Sequence, residues 1–234
     1  MEIELKKRPK NVTIVEGFPG FGLVGTITTE FLIDHLNAEQ IGSIWINEMH
    51  PMVAIHEEEV VDPIGLFYSK KYNLLIVHAI SEVKGIEWKL ADAISTLAIQ
   101  LSAKEIISIE GVGLLGKKGK ESVYYHSKVN KKRFEKAGIK PLNEGIIVGL
   151  TAALLLKTKK TPLSCIFAET KSKLPDSRAA ASIVKTLDAY LGLNVDYNPL
   201  LKQAMVVESK IKNILQNTKN VKVQKEKKDM SYLG

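Results

Sequence analysis

The sequence has very little cysteine, with Cys165 as the only one in 234 residues. A lone cysteine excludes an intramolecular disulfide and argues against a small secreted fold held by such bonds. Cys165 lies in the apolar run 163–168, so we expect a buried, small hydrophobic side chain in a reducing compartment. A nucleophilic cysteine needs a nearby base, and the neighbouring sequence suggests none.

Long hydrophobic runs are also missing. The longest apolar stretch, from Ile146 to Leu156, is far shorter than the roughly 20 residues that cross a bilayer. The first seven residues are mostly charged and lack the apolar segment of a signal peptide. These features predict a soluble, cytoplasmic protein that has no membrane partner.

The chain carries a formal net charge of +7, which raises the question of nucleic-acid binding. Its basic residues cluster at 117–120, 131–133 and 157–160, and again at 219–228 near the carboxyl terminus. None of these clusters is interleaved with the aromatic side chains that stack on bases. The pattern therefore favours solvated loops and helix ends over a nucleic-acid partner.

Hydrophobic periodicity predicts an α/β fold. Apolar runs typical of strands occur at 12–16, 41–46, 64–68, 74–80, 106–109, 122–126 and 163–168. Helical spacing occurs at 23–36, 86–101 and 145–156, and two further helices are expected to begin at Asp176 and at Asn198–Pro199. The segment 145–156 is apolar on all sides, which predicts a fully buried helix.

Strands that alternate with helices of this length indicate a single domain with a mostly parallel or mixed central sheet and helices on both faces. No internal repeat or linker divides the chain. The apolar periodicity stops near residue 217, so we expect an α/β domain over 1–216 and a flexible, lysine-rich tail over 217–234.

A glycine-rich loop is the most unusual segment of the sequence. It follows the first predicted strand, opens the first helix, and contains Gly17, Phe18, Pro19, Gly20, Phe21, Gly22 and Gly25. Its glycines would allow a tight turn and close packing of helix on sheet, and its two phenylalanines would anchor the turn.

The same loop leaves open an enzyme that binds phosphate or nucleotide, either dehydrogenase-like or phosphorylase-like. Its last three glycines match G-x-G-x-x-G, and Tyr124 with Lys128 matches the Tyr-x-x-x-Lys pattern of short-chain dehydrogenases. However, the spacing of the first glycines departs from the dehydrogenase pattern. The acid expected about 20 residues later is also misplaced, because Glu48 lies too far along the chain.

Other candidate chemistry is weak. His50, His56 and the glutamates at 57–59 fit no trusted ligand spacing and are expected to form an acidic, solvated loop. His78 lies in a predicted core strand, where a structural histidine is expected. Because no paired carboxylates and no nucleophile with its base are evident, we predict no metal, no cofactor and no catalytic residue.

Four segments together resemble the proteasome assembly chaperone family in its archaeal form. They are the glycine loop with its flanks (15–36), the apolar segment 145–156, the stretch from Ala168 through Thr170 to 175–181, and 191–196. The similarity covers roughly residues 10 to 215. The glycine loop together with Pro-Asp-Ser-Arg-Ala-Ala is its most specific part.

This resemblance implies a fold like that of nucleoside phosphorylases, homo-oligomers, no established catalytic activity, and binding to α-subunits of the proteasome core particle. In family members that act on the core particle, the chain ends in a hydrophobic residue, a tyrosine and one further residue. Here the corresponding residues are Met230, Tyr232, Leu233 and Gly234, so the tyrosine is third from last rather than second. The resemblance thus implies a partner-binding tail whose register departs from the family pattern.

Overall fold

The computed structural model describes residues 1–49, 54–56, 58–80, 82–113, 122–170 and 174–205. The strands are β1 Glu2–Leu5, β2 Thr13–Gly17, β3 Glu39–Trp45, β4 Ala54–His56, β5 Glu59–Val61, β6 Ile64–Ser69, β7 Leu74–Ala79, β8 Glu105–Gly113, β9 Val123–Ser127, β10 Lys140–Pro141 and β11 Leu163–Thr170. The helices are α1 Val24–His35, α2 Glu87–Gln100, α3 Lys131–Lys136, α4 Gly149–Lys157 and α5 Ser177–Leu191, and residues 198–205 are also helical.

The described strands form one large mixed sheet and one small hairpin. The strand order in the large sheet is β1-β3-β6-β7-β2-β8-β11-β9-β10, and β4 pairs with β5. The four central strands β7, β2, β8 and β11 are parallel, whereas β1, β3 and β6 join on one side by antiparallel pairing. This confirms the predicted α/β class and the mixed central sheet.

Helices cover both faces of the sheet. Helices α2 and α4 pack together on one face, over a core that includes Ile14, Val77 and Ile106. Helices α1 and α5 pack together on the other face, over Val15 and Ile107. Because neighbouring residues on a strand point to opposite faces, a strand covered on both sides is apolar throughout.

The predicted helix at 145–156 needs correction. Helix α4 begins only at Gly149, and residues 145–148 before it are not helical. The helix is not fully buried either, since Ile146 is 93% exposed, Val148 is 73% exposed and Leu156 is 60% exposed. Apolarity on all sides predicted burial, but the single chain leaves the outer side of this segment uncovered.

Five elements lacked a sequence prediction. Strand β1 has a charged, alternating sequence and pairs with β3 at the edge of the sheet, while the β4–β5 hairpin falls partly within the predicted acidic loop. Strand β10 has only two residues. Helix α3 lies in a basic cluster and is held by Phe134, whose ring stacks between Tyr125 at 4.7 Å and Tyr190 at 4.1 Å.

The two predicted helix starts near the end of the domain are present. At α5, the Asp176 side chain accepts a hydrogen bond of 3.0 Å from the backbone N–H of Ala179, as expected of an N-cap. At the segment 198–205, the capping interaction comes instead from Asp196, which accepts from the backbone N–H of Asn198 at 3.0 Å. In the described part of the chain, no helix has the length and apolarity to span a membrane.

Candidate functional site

The glycine loop lies at the carboxyl end of β2 and turns the chain into α1. Its turn is a short 3₁₀ segment, Phe21–Leu23, in which Gly22 has φ +68°. Glycine adopts this left-handed conformation without the strain that a side chain would bring. Leu23 also has a positive φ, of 50°, and its neighbour Val24 begins the helix. The turn therefore depends on glycine at position 22.

Close contacts account for other glycines of the loop. A Cβ at Gly17 would lie 2.3 Å from the carbonyl oxygen of Gly25, which is shorter than any normal contact. Gly25 itself has the backbone of Phe18 and Ile109 at 3.0 Å from the position of a Cβ. The glycines thus let α1 lie directly against β2 and β8, as the sequence predicted.

The larger side chains of the loop have different roles. Phe18 is buried in the core beneath α2 and α4, and so anchors the turn as predicted. Pro19 and Phe21 are only partly buried. The carbonyl oxygen of Phe21 lies over Gly111 of β8, where a Cβ would come within 1.9 Å. The loop therefore packs against both β2 and β8.

The start of α5 lies beside the glycine loop. The backbone N–H of Asp176 donates to the carbonyl oxygen of Gly22 at 2.9 Å. The Thr170 hydroxyl donates to the Asp176 carboxylate at 2.6 Å, and its Oγ1 would lie 2.8 Å from a Cβ at Gly22. The structure therefore joins two separate segments of the sequence into one hydrogen-bonded unit.

A cleft of about 580 Å³ opens next to this loop, beside the carboxyl ends of β2 and β8. Its walls come from the glycine loop at 18–21, the segment 82–87, the end of β8 at 110–113, and residues 142–150. Ligands in α/β proteins bind at this end of parallel strands. The cleft is accordingly the candidate site of the fold.

A pair of carboxyl groups lies on the adjacent strands β2 and β8, with Glu16 buried and Glu110 partly buried. Burial raises the pKa of Glu16 to about 8 and that of Glu110 to about 7. Ser108 hydrogen-bonds Glu16, the hydroxyls of Ser108 and Thr151 are 2.9 Å apart, and the Thr151 hydroxyl donates to Glu110 at 3.1 Å. When Glu16 is protonated, each group in this series of hydrogen bonds can donate to the next, and the last acceptor is an ionised Glu110.

This pair was not predicted from the sequence, in which no paired carboxylates are evident. The two residues are far apart along the chain and become neighbours only through the pairing of β2 with β8. A usable signal was present, since each glutamate ends an otherwise apolar run and is followed by glycine, Gly17 or Gly111. A charged residue within a predicted core strand is unusual, because charged residues are rarely buried without a partner.

Glu110 also bears on the phosphate-binding alternative. The backbone of Phe21 hydrogen-bonds the Glu110 carboxyl group, and a Cβ at Gly20 would lie 2.4 Å from Glu110 Oε1. A phosphate held against the glycine loop would therefore meet a carboxyl group that already uses the loop's donor. Repulsion between like charges disfavours that arrangement.

The Tyr-x-x-x-Lys match does not form the dehydrogenase arrangement. Tyr124 lies on strand β9 and its hydroxyl donates to Glu169 at 3.4 Å, while Lys128 follows the end of that strand. Positions four apart on a strand are separated by about 13 Å, whereas on a helix they share one face. The structure thus places this pair on a strand and the loop that follows it.

A family comparison covers the whole of this site. The model of the PAC2 family matches residues 14–215, which include the glycine loop, both glutamates of the carboxyl pair and the α5 start. The chain belongs to the PAC2 family.

Solved structures agree with this membership. The chain is similar to PbaA of Pyrococcus furiosus, described as an archaeal homolog of proteasome-assembly chaperone, with 28% identity, 97% coverage of each chain and a TM-score of 0.84. It shares the fold of PbaB from the same organism, described as an archaeal proteasome activator, at 21% identity and a TM-score of 0.80, over 91% of this chain and 98% of PbaB. Protein MJ0106 of Methanocaldococcus jannaschii is 27% identical over 88% of this chain and 86% of its own length.

The remaining candidate residues of this PAC2 protein are structural or lie outside the described residues. His78 is buried, its Nδ1 lies 2.8 Å from the Thr29 hydroxyl, and burial lowers its pKa to about 4. Cys165 is buried, and burial raises the pKa of its thiol, as expected of an inert side chain. Over the described ranges, no group of three or more His, Cys, Asp or Glu could hold a metal ion.

Part of the predicted acidic loop, including His50 and Glu57, lies outside the described residues, as do 114–121. The same holds for the predicted tail at 217–234, with Met230, Tyr232, Leu233 and Gly234. The proposed partner-binding tail therefore stays a prediction from the sequence.

Proposed function

We propose that this PAC2 protein is a non-catalytic proteasome-assembly chaperone or adaptor that forms homo-oligomers and binds the α-subunits of the proteasome core particle. The observation that carries the proposal is the family match over residues 14–215, together with the end-to-end similarity to PbaA. A match of this extent concerns the complete α/β domain rather than a shared motif.

Homo-oligomerisation is supported by an exposed apolar surface, here called the α2–α4 surface. It comprises the large hydrophobic residues that α2, α4 and the segment before α4 expose, namely Trp88, Ile99, Ile146, Val148 and Leu156. A helix that is apolar on all sides is normally covered. Because α4 is covered on one side only, a second copy of the chain is the occupant we assign to its outer side.

Binding to the core particle is assigned to the tail. Residues 219–228 are rich in lysine and precede Met230, Tyr232 and Leu233. A charged, hydrophilic segment with a few apolar residues beyond it suits a tethered binding element, in which the apolar residues enter pockets on the partner. The position of Tyr232 is the part of this assignment that most needs a test.

Co-sedimentation with proteasome core particles of the same organism tests the proposal. The full chain should sediment with the particles, and Tyr232→Ala should lose most of that binding, because an aromatic anchor contributes much of the binding energy of such contacts. The neighbouring variant Ser231→Ala is the matched control and should bind like the original chain. Binding that survives Tyr232→Ala would contradict the tail route, and failure of the full chain to bind would contradict the function itself.

A further inference from the structure

The cleft beside the glycine loop is lined in part by Ile146 and Val148 of the α2–α4 surface, but the proposed assembly function assigns no ligand to it. Its volume, about 580 Å³, falls within the range of small-molecule sites. Apolar side chains dominate its walls, among them Phe18, Phe21, Leu142, Ile147 and Leu150. A site of this size and lining suits the apolar body of a small ligand.

The charged groups of the cleft are mostly acidic. Among its described lining residues, Glu82, Glu87 and Glu110 are acidic, and Lys84 is the one basic residue. Glu110 and Glu87 are partly buried, whereas Glu82 and Lys84 are exposed. The local charge therefore favours a cation and disfavours phosphates and carboxylates.

The carboxyl pair is incompletely satisfied. Glu16 Oε1 is fully buried and has no hydrogen-bond partner among the described residues. Neither Glu16 nor Glu110 takes part in an ion pair with any described lysine or arginine. A buried carboxylate without a counter-charge is costly, and a bound cation would remove that cost.

We propose that the cleft binds a small organic amine, with an alkyl body against its apolar wall and an ammonium group at the Glu110 carboxylate. The Thr151 hydroxyl donates to Glu110 Oε2 at 3.1 Å and the backbone of Phe21 also hydrogen-bonds this carboxyl group, so both hold it in place. The proposal does not rest on the assembly role, and its test uses the protein without proteasome particles.

Binding of an ammonium group should be coupled to proton release. Because burial raises the pKa of Glu110 to about 7, part of the protein carries a proton there at neutral pH, and the cation must displace it. As the pH increases toward 7, the affinity for the amine should therefore increase by up to about tenfold per pH unit. Above pH 7 the affinity should stay constant. Among the described residues, Glu16 on β2 and Cys165 on β11 interact electrostatically with Glu110, and Glu82, Lys84 and Glu87 line the same cleft.

Isothermal titration calorimetry of the full chain with n-hexylammonium tests the site. Saturable binding is expected for this amine, with weaker binding of n-hexanol and none of hexanoate or inorganic phosphate. Repeating the titration at pH 7 in buffers of different ionisation enthalpy should reveal the released proton.

Two variants locate the binding in the cleft. Glu110→Gln keeps the size of the side chain but removes its charge, so the affinity should fall by about tenfold or more. Gly113→Leu adds bulk at a lining position that has no atom within 4 Å of a Cβ, so it should block the cleft even if the first variant folds poorly. Glu39→Gln, at an exposed end of β3, is the matched control and should bind normally.

Three results would each overturn the proposal: no saturable binding of the amine, equal binding of n-hexanol, or undiminished binding to a folded Glu110→Gln or Gly113→Leu protein. Circular dichroism and the thermal midpoint would establish that each variant is folded before it is titrated.

Discussion

Two residues of the site, Gly111 and Glu16, show how strongly individual positions are constrained. Gly111 lies where β8 meets the glycine loop, and its α-carbon has the carbonyl oxygen of Phe21 directly above it. Glu16 is an acid at the end of a central strand, with burial as the main influence on its ionisation. Gly111 is constrained by space and Glu16 by desolvation. Substitution of Gly111 should therefore change the unfolding free energy itself, and substitution of Glu16 should change how that free energy depends on pH.

Gly111→Ala should destabilise the fold by about 2–3 kcal/mol, because the added methyl group would lie 1.9 Å from the Phe21 carbonyl and push the loop away. Urea denaturation measures this change. Gly113→Ala on the same strand is the control, since nothing lies within 4 Å of its Cβ, and it should be neutral or stabilising by up to about 1 kcal/mol. Equal effects of the two substitutions would show that the loop does not pack on β8 as described.

Glu16 should make stability depend on pH. Its pKa rises from an ordinary value of 4.5 to about 8 on folding, so the folded state keeps a proton that the unfolded state loses. Its stabilising contribution is therefore complete below pH 4.5 and is lost as the pH rises to 8, by up to about 1.4 kcal/mol per pH unit. Glu16→Gln should flatten the fall in unfolding free energy between pH 5 and 8.

Urea titrations at four pH values in that range provide the measurement. Glu39→Gln is the control, because Glu39 is exposed and Lys7 lowers its pKa, so it cannot produce a fall of this direction. Parallel curves for Glu16→Gln and the original chain would mean that Glu16 ionises normally in the folded protein.

Among the elements, α5 has the best-defined start. Asp176 accepts from the Ala179 backbone at its first turn and from the Thr170 hydroxyl, and its own N–H reaches Gly22 of the glycine loop. The cap therefore connects α5, the end of β11 and the loop that precedes α1.

Asp176→Ala should lower the unfolding free energy by about 1–2 kcal/mol, because Ala179 and Thr170 each lose an acceptor. Asp176→Asn keeps an oxygen for the backbone N–H and should lose clearly less. Thermal or urea unfolding distinguishes the two variants. A loss as large for asparagine as for alanine would assign the effect to charge rather than to capping.

The secondary-structure elements show what sequence patterns can and cannot predict. The central strands and α1, α2 and α5 were predictable, because continuous apolar runs and helical spacing are local properties. The start of α4 was not, since an apolar segment such as 145–148 has the same composition whether helical or extended. The pairing of Glu16 with Glu110 depends on the order of strands in the sheet, which no local pattern encodes.

For the whole molecule, the exposed α2–α4 surface is the feature on which the proposed homo-oligomer depends. Ile146→Asp should leave the fold of the single chain unchanged, because Ile146 is 93% exposed, but should weaken or split the oligomer by placing a charge in an apolar contact. Sedimentation velocity measures the oligomer directly. Ile55→Asp on the β4–β5 hairpin is the control, being 75% exposed and outside that surface. An unchanged oligomer in the Ile146 variant would place the interface elsewhere.

The most direct test of the proposed role is native mass spectrometry of the full chain, alone and mixed with proteasome core particles of the same organism. We expect the protein alone to appear at a multiple of its 25.9 kDa chain mass, and the mixture to contain a species whose mass is the sum of that oligomer and the core particle. A monomer that leaves the mass of the core particle unchanged would contradict the proposal.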